Sequence, residues 1–341
     1  MNTFPPLPMD STKPPSPSVH AKMHPYCPDT LPNDATIVAI LLCTFNGEKF
    51  LREQLDSILA QTHKNWVIHV SDDGSTDDTL NILREYQHNL GPDRLKLYEG
   101  PRQGFANNFL SLIKNKSITG NFFAFSDQDD IWNETKLEKS LSNLNTKKNS
   151  SLPALYCSRA RLIDSNRQYV GMSPLRLKPP SFKNAIVQSL AGANTMLVNI
   201  PARNLLAKTP NNVEVVAHDW LAYLLITACG GSVIYDKTPS LDYRQHDHNL
   251  IGSKIGILNN ILRIKGLTTG KFSRWNEQNC HILHQMEYTL TADNFKILKS
   301  YEKIRSSGLF TRLKIFHQLG IYRQNSIDNI LLFLAVIFKK L

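Results

Sequence analysis

The 341-residue sequence lacks the features of a disulfide-bonded, zinc-binding or membrane-spanning protein. Its five cysteines are scattered without a C-x-x-C pair, which argues against a disulfide framework or zinc cluster and favours a reducing compartment. The first 34 residues contain no apolar segment typical of a signal peptide. No stretch reaches the roughly 18 apolar residues of a membrane-spanning helix. We therefore expect a cytoplasmic protein with one large α/β domain plus appendages, or two domains.

Two glycine-rich nucleotide-binding signatures are also missing. No G-x-G-x-x-G follows the first predicted strand, and G-x-x-x-x-G-K-[ST] occurs nowhere. These absences argue against a dinucleotide site and a P-loop. The turn after the second predicted strand is acidic instead, so it would accept hydrogen bonds from a base or ribose and repel phosphate.

Charge and proline are unevenly distributed. The formal charge is +10, and from residue 251 onward there are 14 Lys or Arg against five Asp or Glu. A basic appendage on a nearly neutral body indicates an anionic partner, either lipid head groups or nucleic acid. Residues 1–35 hold nine of the 18 prolines, and this composition predicts a disordered extension.

Strand and helix patterns alternate four times in about 95 residues. Apolar or aromatic runs predict strands at residues 37–43, 66–70, 95–98 and 121–125, with helical spacing between them. This alternation is typical of a doubly wound α/β sheet with helices on both faces. Such sheets bind ligands at the carboxyl ends of their strands. Polar turns begin there at Thr44, Ser71 and Ser126, so we expect the turns to share one crevice.

The most informative stretch is residues 122–132, FFAFSDQDDIW. Its three carboxylates, those of Asp127, Asp129 and Asp130, repel one another unless a cation such as Mg²⁺ or Mn²⁺ lies between them. The alternative is an acidic turn that caps the helix predicted to begin near Thr135. Alone, the stretch favours neither interpretation. Its position beside the other polar turns favours the metal site.

Each of three later segments allows two interpretations. Asp219 begins an apolar helix, where it is either a helix-dipole partner, which composition favours, or a general base. Residues 245–252 contain two histidines and an aspartate, either metal ligands or, as we favour, a hydrogen-bonded loop. The tail from residue 256 is helical in pattern, and its apolar end, residues 327–341, either lies in a membrane interface or packs on the main domain.

Taken together, these stretches resemble the family 2 glycosyltransferases, nucleotide-sugar-dependent enzymes of the GT-A fold. The resemblance rests on LCTFNG at residues 42–47, VSDDGSTD at 70–77, FSDQDDIW at 125–132 and HDW at 218–220. It covers residues 36–250, and the residues of its motifs are most similar to those of bacterial rhamnosyltransferase-type members. Many members carry Glu-Asp where this chain has His218 and Asp219.

The resemblance implies roles in binding the nucleotide. Thr44, Asn46 and Asp73 would hold the nucleoside, with Asp73 accepting a hydrogen bond from the pyrimidine ring. Asn108 would help to position the nucleotide. Asp127 would contact the diphosphate as well as the metal.

The resemblance also implies the chemistry. Asp127 and Asp129 would bind Mg²⁺ or Mn²⁺ as a D-x-D motif, with His246 as a third ligand or diphosphate contact. Asp219 would be the general base of a direct displacement with inversion.

We therefore predict an inverting glycosyltransferase. The predicted architecture is a GT-A type doubly wound mixed sheet at residues 36–250, a disordered extension at 1–35 and a basic helical region at 251–341. The expected donor is a dTDP- or UDP-sugar, with rhamnose as first guess, and the acceptor is a cell-surface or lipid-linked glycan. Its expected location is peripheral, on the inner face of the plasma membrane. The alternatives are a metal-dependent nucleic-acid-binding protein or nuclease, although no nucleic-acid partner is expected, and a non-catalytic sugar-nucleotide-binding module.

Overall fold

The computed structural model describes residues 36–145, 151–246 and 270–341. The predicted extension at residues 1–35 and most of the 245–252 loop lie outside these residues. The strands are β1 (Val38–Thr44), β2 (Trp66–Asp72), β3 (Leu95–Glu99), β4 (Phe122–Ser126), β5 (Ile131–Trp132), β6 (Ala154–Ile163), β7 (Tyr169–Met172), β8 (Leu197–Asn199) and β9 (Ser232–Arg244).

Helices cover the sheet and form most of the C-terminal region. They are α1 (Leu51–Leu59), α2 (Thr79–Leu90), α3 (Phe105–Lys114), α4 (Lys136–Asn145), α5 (Phe182–Ala185), α6 (Ile200–Ala207), α7 (His218–Ala228), α8 (Lys271–Gln285), α9 (Ala292–Ser306), α10 (Leu309–Leu319) and α11 (Ser326–Ile337). Helices of the described residues are all too short or too polar to cross a membrane.

The strands form one mixed sheet in the order β3-β2-β1-β4-β8-β6-β9-β5, with β7 beside β6. Strands β3, β2, β1 and β4 are parallel, whereas β8 is antiparallel to both β4 and β6. The short β5 pairs antiparallel with β9 at the far end. The predicted mixed α/β sheet is confirmed, and β1 lies near its centre with all seven residues buried.

The continuous apolar run of β1 serves two cores, because alternate side chains of a strand point to opposite faces of the sheet. Ala39, Leu41 and Cys43 pack in one core with α3, α6, α7 and part of the C-terminal helices. Ile40 and Leu42 pack in the other core with α1, α2 and α4. A strand buried on both faces needs apolar side chains at every position, which explains the run.

Several elements differ from the sequence-based boundaries. The sequence pattern predicts two closing strands, at residues 232–235 and 241–244, but the structure has one 13-residue strand there, β9. Pro239 lies inside it where the β6–β9 register shifts, because proline has no N–H to donate to the ladder. The sequence pattern also predicts a strand over residues 193–198, but this segment begins with the 3-10 turn Ala193–Thr195 before β8. There the Asn194 side chain bonds Asp130.

The C-terminal helices pack on the α/β body. Asn294 Nδ2 donates to the carbonyls of Thr227 and Ala228 at the end of α7, at 3.0 and 2.9 Å. Side chains of α8 and α9, among them Leu283 and Tyr301, belong to the same apolar core as α7. The described part of the basic tail therefore shares a core with the sheet domain.

Candidate active site

The turns after β1 and β2 are joined by side-chain hydrogen bonds. Thr44 Oγ1 donates to Asp72 Oδ2 at 2.8 Å. The Asn46 N–H donates to Ser75 Oγ, and its Oδ1 accepts from the Thr76 N–H, both at 2.9 Å. Asn46 has φ 47°, a left-handed conformation that asparagine tolerates well. Two predicted nucleoside-binding residues thus fix the shape of this edge of the sheet.

Asp73 links the same edge to the start of α3. Its carboxylate accepts from the N–H groups of Arg102 at 2.6 Å and Gly104 at 2.9 Å. One helical turn later, Asn108 donates from Nδ2 to the Ser71 carbonyl at 2.9 Å, and its buried Oδ1 has no hydrogen-bond partner. The residues predicted to contact the nucleotide therefore lie together at one edge of the sheet, where they form hydrogen bonds with the protein itself.

Gln128 ties the acidic loop, residues 127–130, to the turn after β1. Its Nε2 donates to the Phe45 carbonyl at 3.0 Å, and its Oε1 accepts from the Phe45 N–H at 2.9 Å. The amide packs over Gly47, where an added Cβ would lie 2.3 Å from Oε1. Sequence reasoning missed this contact, because its signal was one glutamine between two aspartates.

The acidic loop and the start of α7 are close enough to interact electrostatically. Burial, followed by the charges of Asp129 and Asp219, raises the pKa of Asp127 to about 8. At the end of β1, burial and then the charges of Asp127 and Asp73 raise the pKa of the Cys43 thiol well above its usual value. The carboxylates of three separate turns therefore converge at the carboxyl end of β1.

Asp129 and His246 are brought together as a pair. Nε2 of His246 lies 2.7 Å from Oδ2 of Asp129, although the residues are 117 positions apart. The pairing arises because β9 runs back beside β5 and ends next to the acidic loop. Within the described ranges, no three His, Cys, Asp or Glu side chains are grouped as a metal site.

The third aspartate of the loop points into the protein. Asp130 is fully buried, accepting from Asn194 Nδ2 at 2.6 Å and from the Arg244 N–H at 3.2 Å. Burial, followed by the charges of Asp129 and Asp127, raises its pKa well above the usual range. Asp130 thus anchors the loop, and Asp127 and Asp129 are the carboxylates left to face a ligand.

Arg244 is the main site residue that sequence reasoning missed. Its side chain is fully buried, and Nε donates to the Asp129 carbonyl at 2.9 Å. Nη1 donates to the Ser165 carbonyl at 3.3 Å, and Nη2 lies 2.5 Å from Glu53 Oε2. The guanidinium also lies 4.3 Å from the centre of the Phe50 ring. The buried guanidinium of Arg244 therefore places a positive charge against the protein-facing side of the acidic loop.

Asp219 lies in the first turn of α7. Oδ1 accepts from the Trp220 N–H at 2.7 Å, and Ser189 Oγ donates to Oδ2 at 3.4 Å. Burial raises the pKa of Asp219 to about 6, whereas both hydrogen bonds lower it. The carboxylate is therefore mostly ionised at neutral pH and protonates in mild acid.

The neighbouring His218 is held in an aromatic cage. Its ring stacks on Phe109 with centroids 3.9 Å apart and also contacts Phe105 and Phe125. Neither ring nitrogen has a hydrogen-bond partner, and burial lowers the His218 pKa to about 3. His218 is therefore neutral at physiological pH, an uncharged, stacked ring beside Asp219.

Comparisons with known proteins find glycosyltransferases. Residues 39–188 match the family model described as glycosyl transferase family 2. The dTDP-rhamnosyl transferase RfbG of Shigella flexneri is 28% identical over 242 residues, which cover 68% of this chain and 81% of that protein. The UDP-Glc:alpha-D-GlcNAc-diphosphoundecaprenol beta-1,3-glucosyltransferase WfgD of Escherichia coli is 34% identical over 113 residues, 32% of this chain and 41% of that protein.

A solved structure shares the fold. TarS 1-349 of S. aureus in complex with UDP-GlcNAc has a TM-score of 0.50 and 16% sequence identity, covering 78% of this chain and 91% of that chain. This likeness is one of fold and agrees with the predicted GT-A type architecture.

Proposed function

We propose that this chain is a family 2 glycosyltransferase that transfers a hexose or deoxyhexose from a nucleoside diphosphate to a glycan hydroxyl. The acceptor would be a growing cell-surface polysaccharide or a lipid-linked glycan at the inner face of the plasma membrane. The observation that carries this proposal is the convergence of Asp73, Asp127, Asp129 and Asp219 at one edge of the sheet. The match to the glycosyltransferase family model argues against the alternative of a nucleic-acid-binding protein or nuclease.

Asp219 is the proposed general base. Its pKa of about 6 leaves it ionised at neutral pH yet basic enough to take a proton. As the acceptor oxygen bonds to the anomeric carbon, the hydroxyl proton passes to Asp219. The bond from that carbon to the diphosphate oxygen breaks, and its electron pair leaves with the nucleoside diphosphate. One base without a second nucleophile implies direct displacement and inversion.

The donor set at the acidic loop fits a divalent cation. Burial, followed by the charges of neighbouring carboxylates, raises the pKa of Asp127, and a bound cation would favour the ionised form. Asp129 and His246 add an oxygen and an imidazole donor. Because the described residues supply no complete three-ligand cluster, diphosphate oxygens would complete the coordination. Bound Mg²⁺ or Mn²⁺ would neutralise negative charge on the departing diphosphate.

The nucleoside is proposed to lie against the turns that Thr44, Asn46, Asp73 and Asn108 hold in place. Rhamnose is the first candidate sugar, because the similarity to the dTDP-rhamnosyl transferase RfbG spans 68% of this chain. A UDP-sugar is the second candidate, since WfgD is a UDP-Glc-dependent relative. We propose residues 36–250 as the catalytic domain and 251–341 as an appended helical region.

The test compares Asp219→Asn with Asp293→Asn. Asp293 also lies in the first turn of a helix, but its side chain is exposed and its helix, α9, belongs to the C-terminal region. We expect Asp219→Asn to lower transfer at least a thousandfold and to keep binding of the nucleotide sugar, measured as thermal stabilisation in the presence of Mn²⁺. Asp293→Asn should behave as wild type.

A panel of dTDP- and UDP-sugars, each with Mn²⁺ or with chelator, identifies the donor in the same assay. Full transfer by Asp219→Asn would refute the assignment of the base. Binding of nucleotide sugar that is unaffected by chelator would refute the role of the cation.

A further inference from the structure

Helix α11 is apolar on both its inner and its outer side. Leu331, Leu332, Ala335 and Val336 are buried against the other helices. The opposite side has five exposed apolar side chains, here called the outer face: Ile327, Ile330, Phe333, Leu334 and Phe338. A helix that is apolar all round is normally covered on all sides. Among the described residues, the Phe316 ring of α10 lies 6.1 Å from the Phe333 ring at one edge of the outer face, and the other four side chains are exposed.

The outer face is continuous along the helix. Ile327, Ile330, Leu334 and Phe338 follow one another at intervals of three or four residues, which places them in one stripe. Ile330 is 60% exposed and Phe338 is 67% exposed. Exposed apolar patches of this kind mark sites of interaction with membranes or other proteins.

We propose that the outer face docks on an anionic lipid bilayer, with α11 lying in the interface. Charge supports this choice of partner. Lys339 and Lys340 are exposed and directly follow Phe338, and residues 270–341 contain eleven Lys or Arg against five Asp or Glu. Lysines beside an apolar helix face keep their ammonium groups at the lipid phosphates while the apolar side chains enter the acyl region.

Two physical points favour a bilayer over a protein partner. Protein interfaces carry about one hydrogen bond per 100–200 Å², whereas the outer face has no side chain that can form one. A second copy of this chain would also bring its own excess of positive charge against the first.

Length excludes a spanning arrangement of α11. Its 12 residues are about 18 Å long at about 1.5 Å per residue. The hydrocarbon core of a bilayer is about 30 Å thick. The helix is therefore suited to lie on the surface, with the outer face in the bilayer and the inner side on the protein.

The experiment measures sedimentation of the full chain with vesicles, without nucleotide sugar, so its result is independent of the proposed transfer reaction. Vesicles of equal phosphatidylglycerol and phosphatidylcholine are compared with pure phosphatidylcholine at about 0.1 M salt. We expect at least tenfold tighter binding to the anionic vesicles. Ile330→Glu and Phe338→Glu should each weaken it at least tenfold. Lys339→Gln with Lys340→Gln should weaken it roughly 25-fold, about fivefold per lysine.

The matched control is Tyr288→Glu. Tyr288 is 68% exposed, like Phe338, but lies in the turn between α8 and α9. It should bind as wild type, and all variants should keep the wild-type midpoint of thermal unfolding. No binding by the wild-type chain, or equal binding to both vesicle types, would overturn the proposal. So would a dimer mass by light scattering that Ile330→Glu converts to a monomer.

Discussion

Replacing Arg244 with Ala tests how the acidic loop is supported. The guanidinium, which is itself fully buried, donates to the carbonyls of Asp129 and Ser165 and pairs with Glu53. The variant leaves two carbonyls without this donor and a carboxylate without its buried partner. Removing one partner of a buried ion pair costs about 3–5 kcal/mol.

The structure places the expected value at the lower end of that range. Glu53 is 30% exposed and also pairs with Arg167 at 2.8 Å, so water and a second cation remain available to it. We expect a loss of about 3 kcal/mol in the free energy of unfolding. At about 2–4 °C per kcal/mol, the midpoint of thermal unfolding should fall by roughly 6–12 °C.

The control is Arg52→Ala, which removes an arginine–glutamate pair at the surface. Arg52 and Glu85 are each 46% exposed and 2.7 Å apart. Exposed pairs of this kind contribute about 0.2–1 kcal/mol. Urea unfolding of both variants gives the comparison directly. If Arg244→Ala costs no more than Arg52→Ala, the view of Arg244 as the support of the acidic loop is wrong.

Three further predictions concern pH and packing. The rate kcat/KM for transfer should fall about tenfold per pH unit below about pH 6, because Asp219 must be deprotonated to act as base; a flat profile from pH 5 to 7 would contradict this. Gly47→Ala should lower stability and activity together, since its Cβ would lie 2.3 Å from Gln128 Oε1, and adding Gln128→Ala should recover the stability. The pKa of His218 is about 3 in the folded state and near 6.5 in the unfolded state, so the unfolded state takes up the proton first. The free energy of unfolding should therefore decrease by up to about 4 kcal/mol as pH falls from 6.5 to 3. His218→Phe should remove that part of the slope in urea unfolding at each pH.

The central strands and the position of the aspartates at their carboxyl ends were predictable because their signals are local. The apolar run of β1 is enough to indicate a strand covered on both faces. Asp127 and Asp129 follow β4 directly, so the carboxyl-end rule for parallel sheets places them in the crevice. The sequence did not decide whether Asp219 is a general base or a helix-dipole partner, because an aspartate in the first turn of a helix can serve as either.

The supports of the site were not predictable from local patterns. Arg244 contacts Asp129 and Glu53 across 115 and 191 positions, and a single arginine at the end of a strand carries no sign of such partners. Asp73 accepts from two backbone N–H groups, so the side chains of those partners hold no information about the bond. Short elements such as β5 depend on pairing with β9, which only the folded sheet supplies.

The acidic loop has a fixed length, because the strands on either side of it, β4 and β5, are both paired in the sheet. Only four residues separate Ser126, the last of β4, from Ile131, the first of β5. Because neighbouring residues of a strand face opposite sides, one inserted residue would turn the buried Trp132 outward or break its pairing with Leu241. Variants that test the proposed metal site at this loop should therefore exchange side chains and keep the number of residues constant.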